Sequence, residues 1–291
     1  MKSSGDYLSK LLLTRLKRSL FRTKARVITV MILITLSSYA GVSFAEYNRN
    51  MKSVYIDFYA ETNLADLIIS DSEQPEENFS RICQEYEDWL CESRLKLSGQ
   101  TQFTNDTGTH WISSVWYGIT SNEVSRLYMI EGELAEKKNE VVIDAHFADA
   151  HELVIGDTLT IGAGFGMHEV NISGIANNPL HLWYSPEGSL FPDAANFVVG
   201  YFDASYLAEI SGFDSDVRNE LHIDLPGTPN FDISSTTDID EGEALNPIKE
   251  QLSKGLADNE MSGVIVDRSG MSSPELLRVD LEGSQKSTPF I

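Results

Sequence analysis

Three stretches carry residue types that could do chemistry, and each lacks a partner. Asp106-Thr107-Gly108-Thr109 matches the core of aspartic proteases, whose mechanism needs two carboxylates sharing one proton. The sequence holds one copy, and Gln102 to Asn105 before it is not the buried apolar strand that would hold it. Asp, Thr and Gly are ordinary turn residues, and a turn is the expectation. Gly162-Ala163-Gly164-Phe165-Gly166 has the glycine density of a phosphate-cradling loop, but no Lys-Ser/Thr ending follows, and it joins two β-runs. That context predicts a hairpin turn. His151-Glu152 opens like a zinc-protease motif, yet position 155 is Ile155 where the second histidine belongs. No serine elbow, Cys/His pair or nucleotide signature is present, so an enzyme is the least supported class. No catalytic residue, metal or cofactor is expected.

The two cysteines, Cys83 and Cys91, lie in PEENFSRICQEYEDWLCESRLK. There Phe79, Ile82, Tyr86 and Leu90 form one helical stripe. Residues eight apart on an unbroken helix are separated by ~12 Å, whereas a disulfide needs Cα atoms closer than ~7 Å. The expectation is two free thiols on one continuous helix. Asn78, Asn105 and Asn171 head N-x-S/T sequons, which other Ser/Thr-rich sequences produce by chance.

The elements that must position any site follow from charge. The 291 residues hold 22 bases and 44 acids, a net charge of −22 that disfavours nucleic acid as a partner. Residues 1–26 run against that balance, with eight bases and one acid, net +7, leaving 14 bases and 43 acids, net −29. Between them lies Val27 to Ala45, nineteen residues without a charge. As a helix this stretch is ~28 Å long, close to the ~30 Å hydrocarbon core of a bilayer. The basic flank predicts a cytoplasmic N-terminus and an acidic domain, 46–291, outside. Within the flank, Leu8, Leu11, Leu12, Leu16 and Leu20 recur at steps of three and four, while Lys10, Arg15, Lys17 and Arg18 fall largely elsewhere. This is the pattern of a basic amphipathic helix, at home on membrane lipid or in a partner's groove.

Beyond the span, short β-runs and helices alternate. Leu64 to Ser70, Arg94 to Thr104 and Trp111 to Thr120 read as strands, the last two joined by a turn at Asn105 to Gly108. Between about residues 131 and 205 short β-runs are punctuated by glycine, at Glu140 to Asp144, Thr158 to Gly162, His168 to Gly174 and Asn196 to Tyr201. Glu220 to Leu225 alternates strictly, Gly242 to Leu256 reads as a helix, and Gly263 to Asp267 as a strand. The acidic Asp232 to Glu243 reads as a solvated connection. The fold class expected is α+β: one N-terminal transmembrane helix, then βαβ-type halves in one sheet with a β-rich inserted subdomain.

The order of these features resembles FtsX-like permease subunits of ABC transporters, of the MacB type. The resemblance rests on LLLTRLKRSLFRTKARVITVMILITLS, then Glu131-Gly132, Asn139 to Ile143, Ile155-Gly156-Asp157-Thr158-Leu159, Val170 to Ile175 with Ser173-Gly174-Ile175, and Arg218 to Ile223. It implies a non-enzymatic permease component in the cell membrane, working with a cytoplasmic ABC ATPase subunit, as a permease dimer. It further implies that Leu8, Leu11, Leu12, Arg15, Leu16, Arg18 and Leu20 form the membrane-surface or ATPase-coupling helix. Gly132, Gly156, Asp157 and Gly174 are then structural turns. Family members carry further spans after this domain, so the chain is expected to be the N-terminal portion of a longer permease. Two other classes fit the same residues: a single-span anchored binding module, and a secreted domain cleaved after Ala45.

Overall fold

The computed structural model describes residues 12–15, 17–18, 23–86, 88–105, 108–186, 188–227 and 245–287. The chain divides into two units, one of residues 1–51 with 282–291 and one of residues 52–281. In the first, α1 (Lys24–Glu61) begins and contains the uncharged stretch. It is long and apolar enough to cross a membrane, with a mean hydropathy of 1.9 in its most apolar window. Ile28, Met31, Ile32, Leu33, Ile34 and Leu36 are more than half exposed, which is the surface a lipid-facing helix presents.

The second unit is built on one ten-stranded sheet. In chain order its elements are β1 (Leu67–Pro75), α2 (Glu76–Gln84), β2 (Leu90–Asn105), β3 (Gly108–Ile119), β4 (Tyr128–Gly132), β5 (Glu140–Asp144) and α3 (Ala145–His151). There follow β6 (Thr158–Ala163), β7 (Gly166–Asn177), β8 (Phe197–Asp203), α4 (Ala204–Ser211), β9 (Val217–Asp224), α5 (Asn246–Asp258), β10 (Val264–Asp267) and α6 (Ser272–Ser287). The strand order is β10-β1-β9-β2-β3-β8-β5-β7-β4, with β6 pairing β2 and β7. Strands β1 and β2 both run antiparallel to β9, which lies between them; β9 and β10 both run antiparallel to β1. These are two interleaved split βαβ units, β1-α2-β2 and β9-α5-β10. The βαβ-type halves expected from the sequence therefore share one sheet, and strands β3–β8 extend that sheet.

Apolar side chains sort by the period of two that a strand imposes. Leu67, Ile69, Leu221 and Ile223 project to one face, where Phe79 and Ile82 of α2 and Leu252 and Leu256 of α5 cover them. A second core joins Trp116, Val141, Ile143, Phe202 and Leu207 of the inserted strands and helices. Gly118 allows α4 its approach to β3, since a Cβ there would lie 2.8 Å from the Cα of Ala204.

The cysteine expectation is corrected. Helix α2 ends at Gln84, and a turn closes with Tyr86 N–H to Cys83 O and a stacked Tyr86–Trp89 pair. Leu90 and Cys91 then enter β2, paired with Asp224 and Ile223 of β9. The break brings the two Cα atoms to 6.4 Å, and Cys83 and Cys91 are disulfide-bonded. Strand pairing with a segment more than 130 residues distant outweighed the local helical stripe. The motif imitators find ordinary places. Gly162 to Gly166 makes the β6–β7 hairpin, and His151 closes α3 with its ring against Phe103 and Phe147. Asp106, Thr107 and the acidic Asp232 to Glu243 lie outside the described residues.

Candidate functional site: the junction between α1 and the sheet

Strict alternation in β9, Glu220-Leu221-His222-Ile223, places its polar side chains on the face opposite α2 and α5. That face is not solvated: Glu220 and His222 are buried, as are Glu92 and Arg94 on neighbouring β2. Over Glu92 and Arg94 the face is covered by the chain between β3 and β4, which also bonds the end of α1.

Helix α1 stops in a Schellman arrangement. Asn63 adopts the left-handed conformation (φ 51°), its N–H bonds Ala60 O, and Leu64 N–H bonds Tyr59 O. Thr62 Oγ1 donates back to Phe58 O. Leu64, Ala65 and Asp66 are then fully buried before β1 begins. Asp66 accepts from Leu225 N–H at 2.6 Å and pairs with Arg268 at 2.8 Å. The Arg268 guanidinium also donates to Leu64 O and Ala65 O.

From the other side the Ser121–Leu127 segment grips the same turn. Ser125 N–H and Arg126 N–H donate to Asn63 O and Thr62 O at 2.7 and 2.8 Å, Asn63 Nδ2 donates to Glu123 O, and Arg126 Nε donates to Glu61 O. Ser125 Oγ accepts from Ala65 N–H. This segment is itself fastened to β2: the Glu92 carboxylate accepts from Glu123 N–H, Val124 N–H and Ser121 Oγ, and Arg94 donates to Val124 O and Ser125 O. Glu92 and Arg94 pair at 2.9 Å with no side-chain exposure. Each charge is therefore both paired and hydrogen-bonded, the condition under which burial is tolerable.

Deeper in the sheet, burial pushes the His222 imidazole down, reinforced by the Arg94 charge, so it is neutral. Burial would raise Glu220, but a hydrogen bond from His222 with the charges of Lys96 and Arg94 outweighs it, and the carboxylate stays ionised. The arrangement has no nucleophile beside a base. Among the described residues no group of three His, Cys, Asp or Glu is placed to hold a metal. What it can do is mechanical: the end of α1 is bonded to the Ser121–Leu127 segment, which is in turn bonded to the sixteen-residue strand β2.

The residues singled out in the sequence lie elsewhere. Leu12, Arg15 and Arg18 are helical and exposed; Leu8, Leu11, Leu16 and Leu20 lie outside the described residues. Gly132, Gly156, Asp157 and Gly174 meet at one corner of the inserted strands. Gly132 pairs Gly174 across β4 and β7, Gly156 N–H donates to Ile172 O, and the Asp157 carboxylate accepts from Val154 N–H. A Cβ on Gly132 would overlap the Ser173 carbonyl oxygen. Asp66, Glu92, Arg94, Arg126 and Arg268 escaped the sequence reading, although Asp66 inside the apolar LADLIIS and Arg94 among strand residues were visible irregularities.

No family model matches the chain, and no curated protein matches it. Among solved structures, the periplasmic region of MacB from Actinobacillus actinomycetemcomitans aligns over 74% of this chain and 92% of its own, at 11% identity and a TM-score of 0.40. The extracellular domain of the noncanonic ABC-type transporter YknZ from Gram-positive bacteria aligns over 61% and 87%, at 13% identity and a TM-score of 0.38. The chain itself has one N-terminal apolar helix leading into a mixed α+β domain.

Proposed function

We propose that the chain is the N-terminal span and extracytoplasmic domain of an FtsX/MacB-like permease, and that it carries ATPase-driven motion outward through α1. On this reading residues 1–26 are a cytoplasmic amphipathic helix that meets the ABC ATPase, 27–45 cross the membrane, and 46–291 lie outside. One observation carries the reading: α1 continues without a break from the uncharged span to Glu61 and ends in a buried, fully fastened turn. An anchored binding module needs only the span, whereas carrying motion also needs the helix end fastened to the sheet domain, as the bonds of Ser125 and Arg126 to Asn63 and Thr62 fasten it.

The experiment has two parts. A reporter fused after Ile291 is expected to be active only outside the cytoplasm, with the protein retained in membranes after alkaline carbonate washing. Recovery of a soluble domain beginning at Glu46 would overturn the anchored reading. In a full-length permease that inserts and binds its ATPase, Leu12→Ala/Leu16→Ala is expected to lower transport-coupled ATP turnover severalfold; unchanged turnover reduces the basic helix to a topology signal.

A further inference from the structure

Strand β2 has two neighbours on the side opposite β3, and they do not meet. Strand β9 pairs with it at Leu90 to Arg94 and β6 at Gln100 to Gln102, both antiparallel. Main-chain N–H and C=O groups two residues apart on a strand point the same way. On this side Arg94 faces Glu220, the Asn219 side chain accepts from Lys96 N–H at 2.7 Å and donates to Lys96 O at 2.8 Å, and Gln100 faces Gly162. Ser98 lies between them. Its N–H and C=O point into the interval, where among the described residues nothing bonds them.

The interval is held open from both ends. Extending the β9 register would set Asp216 opposite Ser98, but Val217 and Arg218 pair with Pro75 and Gln74 of β1. The Arg218 guanidinium fixes that departure, donating to Ser215 O and Val217 O and pairing with Glu76 at 3.1 Å. Extending the β6 register would set Gly164 there, but Gly164 turns away (φ 57°) against the end of α4, where a Cβ would lie 2.8 Å from the Ser211 carbonyl. Trp116 Nε1 donates to Gly162 O at 3.3 Å and holds the end of β6. Four strand steps part Lys96 from Gln100, about 14 Å, enough for one paired residue and its neighbours on either side.

The interval opens into a groove of about 760 Å³. On its rim Phe165 is fully exposed, Trp111 is 56% exposed, and Met167 and Phe213 also stand in water. Phe213 belongs to Gly212-Phe213-Asp214-Ser215-Asp216, a stretch with two exposed acids and no base. We propose that this groove takes an extended, basic polypeptide segment, one residue of which pairs its N–H and C=O with Ser98 as the missing strand would. Its apolar side chains then lie on the Trp111, Phe165 and Phe213 rim and its basic ones toward Asp214 and Asp216. Ser98 offers a donor and an acceptor on one edge, and a residue in extended backbone answers both at once. A lipid chain would use the rim and leave the edge unanswered. An acidic segment is repelled by Asp214, Asp216 and the net charge of −29 over residues 27–291, whereas a basic one is drawn to them. Every residue of the groove belongs to the sheet domain, so the site does not depend on the permease reading.

The test is calorimetric titration of the full chain in nonionic detergent with the peptide acetyl-Lys-Val-Phe-Val-Lys-amide, which is expected to saturate one site per chain. Replacing its backbone N–H groups by ester oxygen, one at a time, should weaken binding about fivefold at a single position, the residue that pairs with Ser98. The same peptide with glutamate in place of both lysines should bind about fivefold more weakly or worse. Ser98→Pro removes a donor that has no partner in the sheet, so it should abolish binding without the loss of a ladder bond. Trp111→Ser, at an exposed position, should weaken binding about tenfold with an unchanged melting curve, and it decides the matter if Ser98→Pro fails to fold. Absence of saturable binding, equal affinity of every ester analogue, equal affinity of the glutamate peptide, or full affinity in either folded variant overturns the proposal.

Discussion

The α1–β1 junction and the β4–β7 corner both hold several chain segments together without a helix between them, and they do so with opposite chemistry. At the junction, Glu92, Arg94, Asp66 and Arg268 bind carbonyls and amides through charged, directional groups. At the corner, Gly132 and Gly174 remove side chains so that backbone meets backbone. Close backbone approach resists compression and leaves shear to the ladder hydrogen bonds. A buried guanidinium bonded to two carbonyls and a carboxylate resists displacement in several directions, at a cost in desolvation that packing alone would not incur. The charged clamp thus sits where α1 enters the sheet, the place where the proposed function requires stiffness.

The sharpest way to break this contrast is Arg94→Met. It removes the partner of a fully buried carboxylate and two carbonyl contacts, and breaking such a pair costs about 3–5 kcal/mol. Denaturant unfolding of the full chain in detergent reads the loss. Hydrogen exchange should show the greatest loss of protection at the amides of Ser125 and Arg126, which bond the end of α1. Adding Glu92→Gln should recover part of the loss, because it removes the uncompensated charge; strict additivity of the two would mean that the pair does not act as a unit.

At the corner the corresponding change is steric. Gly132→Ala forces a left-handed backbone (φ 76°) on a residue with a Cβ, about 1–2 kcal/mol. It also drives that Cβ into the Ser173 carbonyl and the Gly174 backbone, overpacking that costs roughly 1–3 kcal/mol more. Gly156→Ala has the same backbone problem (φ 93°) but meets no atom within 4 Å, so only the first cost applies. Equal destabilisation of the two variants would show that close approach contributes nothing at this corner.

The two regions also differ in how far the sequence revealed them. At the corner the local spacing marked the glycines but not their setting: Gly132 and Gly174, expected at turns, lie in paired strands, where close approach of β4 and β7 requires them. The hairpin at Gly162 to Gly166 was legible because its glycines are a local turn signal. The junction was not. Alternation in β9 says which side chains share a face, whereas the burial of that face comes from remote segments, among them Ser121–Leu127 over Glu92 and Arg94 and the start of α6 near Glu220. Cys83 and Cys91 failed in the same manner, since the helix is ended by β2 pairing with β9. Local pattern fixes turns and periodicity; which face is buried is decided by segments remote in sequence.

The smallest effect follows from His222, whose burial beside Arg94 keeps it neutral in the folded domain. Its pKa is lowered from 6.5, so below that pH the unfolded chain binds a proton that the folded chain refuses. Stability from this group is fully present above pH 6.5 and is lost as pH falls toward the folded value, at up to about 1.4 kcal/mol per pH unit. His146 has the opposite sign: its hydrogen bond to Asp144 raises it, so its contribution is complete below pH 6.5 and disappears as pH rises through the raised value. The two act in separate windows. Glu220, held below 4.5, adds its own loss only at lower pH. Denaturant midpoints of the full chain at pH 6.5, 6.0, 5.5 and 5.0 should therefore decline, and His222→Gln should flatten that decline while leaving the trend above pH 6.5 unchanged. An undiminished slope in the variant would place the acid sensitivity outside the polar face and remove one term from the contrast with the glycine-built corner.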